Sequence, residues 1–300
     1  NGGATGVDTV SVLVNPSPLN KIPVADAGLN KAITLPVNTV TLTGSGTDED
    51  GQVVAYLWSQ ISGPNVTITN AGSKTTDVKG FVQGNYLFQL MVTDNGGATG
   101  VDTVSVLVNP SPKQTITLNT ANNPFEKMLV SIGGADHSFE GGIEWVIDAW
   151  TVGGQPYVGR KIFKFDLSAI PSNATIISAN LFLYSNTPPQ NGNLVDANFG
   201  DDNGLVLSRI TSNWSPATAS WFNQPTTTTA NQVLIPHTTQ SVLDLNIDVK
   251  QLVQDMVKNT NNGFMLKLQN ETAFQSRAFV SSHNTAKPQK HPKLVIEYQP

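Results

Sequence analysis

The sequence NGGATGVDTVSVLVNPSP occupies residues 1–18 and recurs letter for letter at residues 95–112. A β-strand tolerates many substitutions on its outer face, so identity over this length indicates recent duplication of a whole unit. Residues 19–112 are then one complete unit, and residues 1–18 are the tail of a preceding one. We expect further copies upstream.

The repeated unit has the pattern of half-buried β-strands. Val10, Val12 and Val14 alternate with polar neighbours, and residues 54–58 repeat the alternation. Turn signals such as Asp50-Gly51 separate such stretches. About seven short strands in roughly 90 residues predict an antiparallel β-sandwich.

The remaining stretch, residues 113–300, has a different pattern of apolar and polar residues but again predicts many strands. Residues 162–167 and 293–298 alternate as strands do. One helix is predicted after Asp248, which can cap it with Gln251 as capping-box partner. Its apolar residues fall on one face, namely Val249, Leu252, Val253, Met256 and Val257. The sequence therefore predicts an all-β chain, whose second domain is a larger, jelly-roll-like sandwich with one short helix.

Composition excludes several classes of partner. Charged residues make up 13% of the chain, about half the share in an ordinary soluble domain, and the net charge is −5. No basic face for nucleic acid is indicated, and no apolar run is long enough to span a membrane. The absence of cysteine is compatible with bacterial export.

Three stretches of the first domain resemble PKD-type repeats, which occur in bacterial surface proteins and polysaccharidases. They are ADAGLNKAITLP (25–36), GSGTDEDGQVVAYLWSQISGP (44–64) and GNYLFQLMVTDNGGATGVDTVSVLV (84–108). The resemblance covers residues 22–109 almost completely. It implies an immunoglobulin-like β-sandwich with Trp58 in its core.

The second domain is similar to DNRLRE-type domains, β-sandwich modules of secreted bacterial proteins, some of which are classed as carbohydrate-binding modules. The similarity rests on stretches such as AWTVGGQPYVGRKIFKFDLSAIPSNATIISANLFLYS (149–185) and RITSNWSPATASWFNQPTTT (209–228). It spans residues 120–298. Versions from Bacteroidetes look closest, which implies a secreted or cell-surface protein and type IX secretion.

Acidic residues of the first domain form a candidate calcium site. Asp48 and Asp50 lie on a tight turn, Asp94 belongs to the loop after another strand, and Asp26 is a further candidate ligand. Carboxylate oxygens are the hard ligands that Ca²⁺ prefers, and some PKD-type repeats bind calcium through loops of this pattern. The alternative is a solvated turn shaped by Asp50-Gly51.

Aromatic residues of the second domain form a candidate sugar site. Trp145 and Trp150 lie in a glycine-rich stretch, close to Tyr157. Exposed aromatic faces stack on sugar rings, and Arg160 and Lys161 could add contacts to an acidic glycan. The alternative is that Trp150 packs under the rim of the sandwich.

Motifs for catalysis are missing from the sequence. The four histidines, His137, His237, His283 and His291, show no metal-binding spacing, and no nucleophile or phosphate-loop motif occurs. We therefore expect a non-catalytic protein, not a lyase or hydrolase.

Two functions remain. Stalk repeats could present a terminal sandwich that binds a polysaccharide or another surface, with avidity raised by display in many copies. Alternatively, both domains are spacers or subunits of an extracellular fibre that associates with itself or with protein partners.

Overall fold

The computed structural model describes residues 2–119, 125–139 and 142–300. The chain divides into two compact units, Asn1–Ser111 and Pro112–Pro300. Both are built almost wholly from β-strands, so the all-β prediction is confirmed. No helix in the described part of the chain is long and apolar enough to cross a membrane.

The first unit is an immunoglobulin-like sandwich of short strands. One sheet has the order β2-β9-β8-β5, with β2 parallel to β9 and the other pairs antiparallel; a second sheet has the order β3-β7-β6, and β1 pairs with β4. The strands are β1 Val24–Asp26, β2 Lys31–Thr34, β3 Thr39–Thr43, β4 Ser45–Thr47, β5 Val53–Ser62, β6 Thr67–Ile68, β7 Thr75–Lys79, β8 Gly84–Asp94 and β9 Thr99–Asn109.

Alternation along these strands creates the core. Successive strand residues point to opposite faces, so alternate side chains of β8 and β9 enter the interior. There they pack around the buried ring of Trp58, as the sequence predicts. Each large buried side chain of this kind contributes about 1.5–3 kcal/mol through removal of apolar surface from water.

The two copies of the repeated sequence differ in structure. In the second copy, Val104, Val106 and Val108 lie on β9 and are buried. In the first copy, the equivalent Val10 is 91% exposed, and residues 2–23 form no strand. A strand is stabilised by cross-strand pairs and burial, so the same sequence forms a strand only where neighbouring strands pair with it.

The second unit is a sandwich of a four-stranded and a nine-stranded sheet among its described residues. The order is β10-β22-β15-β19 in the first and β16-β21-β13-β14-β20-β17-β18 in the second, where β11 pairs with β12 and β14. The strands are β10 Gln114–Asn119, β11 Glu126–Ile132, β12 Ala135–Phe139, β13 Glu144–Val152, β14 Gln155–Phe163, β15 Thr175–Leu183, β16 Asn198–Phe199, β17 Leu205–Ile210, β18 Thr227–Ile235, β19 Leu245–Asp248, β20 Phe264–Leu268, β21 Gln275–Val280 and β22 Lys293–Gln299.

The main core of this unit draws side chains from both sheets. Trp145 and Phe163 of the larger sheet share it with Leu181 and Ile296 of the smaller one. This arrangement is that of a sandwich whose inner faces interdigitate.

The predicted helix is present as α1, Lys250–Lys258, and a short 3₁₀ turn covers Pro288–Lys290. The predicted apolar residues of α1 are buried. The Oδ1 atom of Asp248 accepts a hydrogen bond from the amide of Lys250, 2.9 Å away. The predicted capping box does not form, because Val249 and not Asp248 is the N-cap of α1, and the side-chain amide of Gln251 donates to Asp255 instead.

Candidate functional site

A cavity of about 680 Å³ opens on strands β11, β13 and β14 of the second unit. Its walls combine apolar side chains with carboxylates and amines. The strand residues that the following description uses are Glu126, Glu144, Tyr157 and Lys161, and loops add Gln190, Asn191 and His283. Concave sites that mix apolar walls with a few polar groups are typical of small-molecule binding.

Glu126 is a buried carboxylate of the cavity, held through one of its two oxygens. Its Oε1 atom accepts hydrogen bonds from the hydroxyl of Ser282 at 2.7 Å and lies 2.8 Å from Nδ1 of His283. The ammonium of Lys161 is 3.7 Å from the same oxygen. The Oε2 atom is buried and has no hydrogen-bond partner among the described residues.

Glu144 anchors the loop that forms another wall. Its carboxylate accepts hydrogen bonds from Asn186 Nδ2 at 2.8 Å, Asn191 Nδ2 at 2.6 Å and the backbone amide of Gln190 at 3.0 Å. Lys287 holds the same loop by donating to Asn186 Oδ1 at 2.7 Å. Both oxygens of Glu144 are therefore satisfied within the protein.

Burial shifts the ionisation of three groups around the cavity. It lowers the pKa of Lys161 to about 8, although the nearby Glu126 opposes the shift. Burial, reinforced by Glu144, raises the pKa of Asp148 well above its usual value. Burial also raises the pKa of Tyr157, and the nearby carboxylates of Asp148 and Glu144 add to that shift.

The two candidate tryptophans of β13 face opposite sides of the sheet. Trp145 is fully buried, and its ring lies 4.7 Å from that of Phe163 in the core. The expectation that it stacks on a sugar is corrected, because no solute reaches it there. Trp150 is half-buried and lies opposite Tyr157 in the β13–β14 hairpin.

The geometry of that hairpin comes from two glycines. Gly153 and Gly154 have φ of +57° and +78°, the left-handed region that tight hairpin turns require. The turn sets the register in which Trp150 pairs with Tyr157, a residue that lines the cavity. The predicted neighbours are thus brought together beside the cavity.

Two further aromatic residues flank Trp150 and were missed from the sequence. Phe199 and Phe274 contact its ring at centroid distances of 5.6 and 5.2 Å, and they are 37% and 52% exposed. We call Trp150, Phe199 and Phe274 the aromatic patch. Phe274 has φ of +68°, uncommon for a bulky residue, and such strain clusters at functional sites. That conformation leaves no signal in the sequence.

Arg160 is not available to a sugar, which corrects the sequence expectation. Its guanidinium donates twice to the carboxylate of Glu271, each time at 2.6 Å, and once to Gln224 at 2.9 Å. It also stacks over the ring of Trp221 at 4.6 Å. These contacts commit three of the five N–H donors of Arg160 to a structural role.

The structure brings only some of the candidate calcium ligands of the first unit together. Both carboxylate oxygens of Asp48 are buried without a partner among the described residues. Burial raises the pKa of Asp48, and the neighbouring carboxylates of Asp50 and Asp94 add to this shift, although the backbone amide of Asp50 opposes it. A side chain at Gly51 would overlap Asp48 Oδ2 and Asn95 Oδ1, so only glycine permits this approach.

The other acidic candidates are already hydrogen-bonded. Asp94 accepts from Gly96, Ala98 and the Asn20 side chain; these bonds lower the pKa of Asp94 although burial alone would raise it. Asp50 accepts from the amide of Lys21 at 3.1 Å.

Asp26 lies at the opposite end of the β1–β4 pair from Asp48, where it accepts from the amide of Gly28. The structure does not bring it to the cluster. The described residues contain no group of three or more His, Cys, Asp or Glu side chains that could hold a metal ion.

Comparisons with known families match both units. The family model described as "K319L-like, PKD domain" matches residues 27–108. The family model described as "Carbohydrate-binding module family 96" matches residues 145–298, slightly more than half of the chain. Neither description is that of a catalytic domain.

The curated relatives are matched over a small share of their own length. The mouse dyslexia-associated protein KIAA0319-like protein is 36% identical over 137 residues, which are 45% of this chain and 13% of the relative. The human dyslexia-associated protein KIAA0319 is 36% identical over 111 residues, which are 36% of this chain and 10% of the relative.

A solved structure matches about a third of the chain. The solution structure of the PKD domain from KIAA 1837 protein is 37% identical; the match covers 31% of this chain and 92% of that one, with a TM-score of 0.27. The family matches therefore describe a PKD domain followed by a carbohydrate-binding module, and the chain belongs to carbohydrate-binding module family 96.

Proposed function

We propose that this protein is a non-catalytic, extracellular modular protein whose PKD domain is part of a stalk that presents a polysaccharide-binding sandwich. The observation that carries the proposal is the aromatic patch, because Trp150, Phe199 and Phe274 lie together, partly exposed, beside a polar cavity. The family match supports a carbohydrate ligand.

Sugar binding fits the chemistry of this surface. The C–H face of a sugar ring packs on an aromatic face, while hydroxyls bond to nearby polar side chains. Tyr157 connects the two features, since it pairs with Trp150 on the hairpin and also lines the cavity. A glycan stacked on the patch could therefore extend into the cavity.

A glycan array with the whole chain tests this proposal. We expect binding to at least one polysaccharide, and we expect Trp150→Ala to weaken it by about tenfold or more. The matched control is Phe222→Ala, which removes an aromatic side chain that is 74% exposed elsewhere on the same unit. Silence across plant, algal and bacterial glycans, or equal losses in both variants, would refute the assignment.

Calcium binding at the acidic turn of the first unit is a second part of the proposal. We propose that Asp48 supplies a ligand, with Asp50 and Asp94 adding negative charge. Support comes from the two unpartnered oxygens of Asp48 beside these carboxylates. An ion there would stiffen a stalk of repeats.

The origin of the protein is proposed from the sequence resemblance alone. The resemblance to DNRLRE-type domains supports a Bacteroidetes surface protein exported by type IX secretion, with an adhesive role. The identity between residues 1–18 and 95–112 supports further PKD units in the same protein.

A structural fibre is the second candidate, and one surface favours it. Leu57, Met91 and Val101 form an apolar row across the outer face of the β5–β8–β9 sheet, where Leu57 and Val101 are exposed. Such a row could pack against a second copy. Sedimentation at rising protein concentration should then show association that Leu57→Lys abolishes; a monomer at all concentrations would exclude self-association.

A further inference from the structure

We infer that residues 5–14 can leave their own copy of the chain and pair with β8 of a second copy, in the position that β9 occupies. We call residues 5–14 the exchange segment. The inference concerns the first unit and a protein partner, so it goes beyond the proposed polysaccharide binding and does not depend on it.

The exchange segment has the side chains of a strand but none of its pairing. Successive residues of a strand point to opposite faces, so one face of this segment would be wholly apolar in a sheet. Such exposed apolar surface is typical of an interaction site. The large apolar side chains of the segment are between 79% and 91% exposed, and they are Val7, Val10, Val12, Leu13 and Val14.

The position of β9 shows where this sequence fits. Residues 99–108 have the same sequence as the exchange segment, and within β9 they pair with β8 and β2. Val104, Val106 and Val108 are at most 1% exposed there. Because the side chains are identical, the exchange segment can form each of these cross-strand contacts in a second copy. Exchange of an identical element is a low-cost route to a dimer.

Two unusual requirements of the β9 position are also met. A side chain at Gly100 would overlap the backbone carbonyl of Pro23, and the exchange segment has Gly6 at the equivalent place. Asp102 accepts a hydrogen bond from the backbone amide of Ala27 at 2.8 Å, and Asp8 is its equivalent. An unrelated strand would satisfy neither requirement, so the β9 position selects this sequence.

The linker that follows the exchange segment is anchored at one end of the first unit. Asn20 Nδ2 donates to Asp94 Oδ2 at 2.9 Å, and a side chain at Gly96 would overlap Asn20. The backbone amide of Lys21 donates to Asp50 Oδ2 at 3.1 Å. Asn20 is therefore held against the turn that precedes β9.

This anchor keeps the exchange segment out of the β9 position of its own copy. There, Val14 would take the place of Val108, about 26 Å from Gly100 at a rise of about 3.3 Å per residue. Asn20 lies beyond the Gly100 end of β9, yet the chain from Val14 to Asn20 spans at most about 22 Å. A second copy imposes no such limit, so the partner is another molecule of this chain.

Protein concentration during folding decides how much exchange occurs. Each exchange segment that enters a sheet displaces one β9 of identical sequence, so the total burial of apolar side chains does not change. The two strands compete for the same position while the chain folds, and tandem repeats misassemble in this way. Refolding at high concentration should therefore favour the exchanged dimer.

Disulfide trapping in the whole chain tests this pairing, because the sequence contains no cysteine. Val101 pairs with Met91, and Val7 would replace Val101 after exchange. Directly opposed strand residues are close enough for a disulfide. The double variant Val7→Cys, Met91→Cys is unfolded in urea, refolded at rising concentration and oxidised. We expect a dimer joined by 7–91 disulfides, with a dimer-to-monomer ratio that rises in proportion to concentration.

Two control variants fix the fold and the register. Met91→Cys with Val101→Cys should form its disulfide within one chain, which shows that the sheet forms when Met91 is replaced. Thr9→Cys with Met91→Cys should give about tenfold less 9–91 disulfide, because Thr9 would face Gln89. Peptide mapping by mass spectrometry identifies each link.

Three results would overturn the inference. They are a 7–91 disulfide within a single chain, equal yields from the Val7 and Thr9 variants, and the absence of a 7–91 disulfide when the 91–101 control forms its own. None of them bears on polysaccharide binding, which a glycan array measures separately on the parent chain.

Discussion

Trp145 and Trp150 lie on the same strand, β13, yet their rings enter opposite faces of the sheet. Trp145 lies in the core against Phe163, and Trp150 lies in the aromatic patch between Phe199 and Phe274. An odd spacing along a strand reverses the face, so one tryptophan stabilises the fold and the other is available to a ligand.

Alanine at each of these tryptophans should separate stability from binding. Trp145→Ala should lower the free energy of unfolding by about 3–5 kcal/mol, because it leaves a cavity in the core. Trp150→Ala should cost far less stability and abolish most glycan binding. Urea unfolding and affinity electrophoresis of both variants check the prediction. A Trp150→Ala variant that unfolds as readily as Trp145→Ala would place both rings in structural roles.

Lys161 should make stability depend on pH in a defined window. Burial lowers the pKa of Lys161 from 10.5 to about 8, so between these values the unfolded chain binds more protons than the folded one. The free energy of unfolding should therefore rise with pH across this window and level off above it. The total rise in the free energy of unfolding across this window is up to about 3 kcal/mol.

Urea unfolding of the parent and of Lys161→Met at several pH values checks this sign. The comparison with the variant removes the effects of other groups that titrate in the same range. The parent should gain stability relative to Lys161→Met as the pH rises from 8 to 10.5. A difference that stays constant over this range would show that Lys161 keeps an ordinary pKa.

Calcium should stabilise the PKD domain through Asp48. Millimolar Ca²⁺ should raise the midpoint of the thermal transition of this domain in the whole chain, since a ligand of the folded state stabilises it by mass action. Asp48→Asn should remove most of the increase. The control is Asp77→Asn, which changes a carboxylate that accepts a hydrogen bond from the Thr41 hydroxyl. If isothermal titration calorimetry detects no heat when Ca²⁺ is added to the parent chain, the chain does not bind calcium.

The pair of Arg160 and Glu271 should matter for stability and not for binding. Its two short, charge-assisted hydrogen bonds are partly buried, so Arg160→Lys, which loses the bidentate geometry, should cost about 1–2 kcal/mol. Glycan affinity should stay unchanged. A loss of glycan affinity without a loss of stability would show that Arg160 contacts the ligand.

The fold was predictable because each strand carries its own pattern. Alternating apolar residues mark the inner faces, and Trp58 lies in the core as predicted. The conformation of an individual segment was less predictable, as residues 1–18 and 95–112 demonstrate. Val10, Val12 and Val14 are exposed, whereas their identical counterparts Val104, Val106 and Val108 are buried, since pairing with neighbouring strands decides the outcome.

The site was predictable only in outline. The sequence placed Trp150 and Tyr157 near each other, because a glycine-rich hairpin joins them. It could not assign Trp145 to the core, since that depends on which face of β13 meets the second sheet. Phe199 and Phe274 are distant from Trp150 along the chain, and Glu126 meets His283 only in the folded domain.

Carbene footprinting of the whole chain, with and without a bound glycan from the array, shows whether a sugar lies on the aromatic patch. We expect reduced labelling at Trp150, Tyr157, Phe199 and Phe274, and unchanged labelling at the exposed Phe222. Protection of Phe222 or of the PKD domain, with none at the aromatic patch, would contradict it.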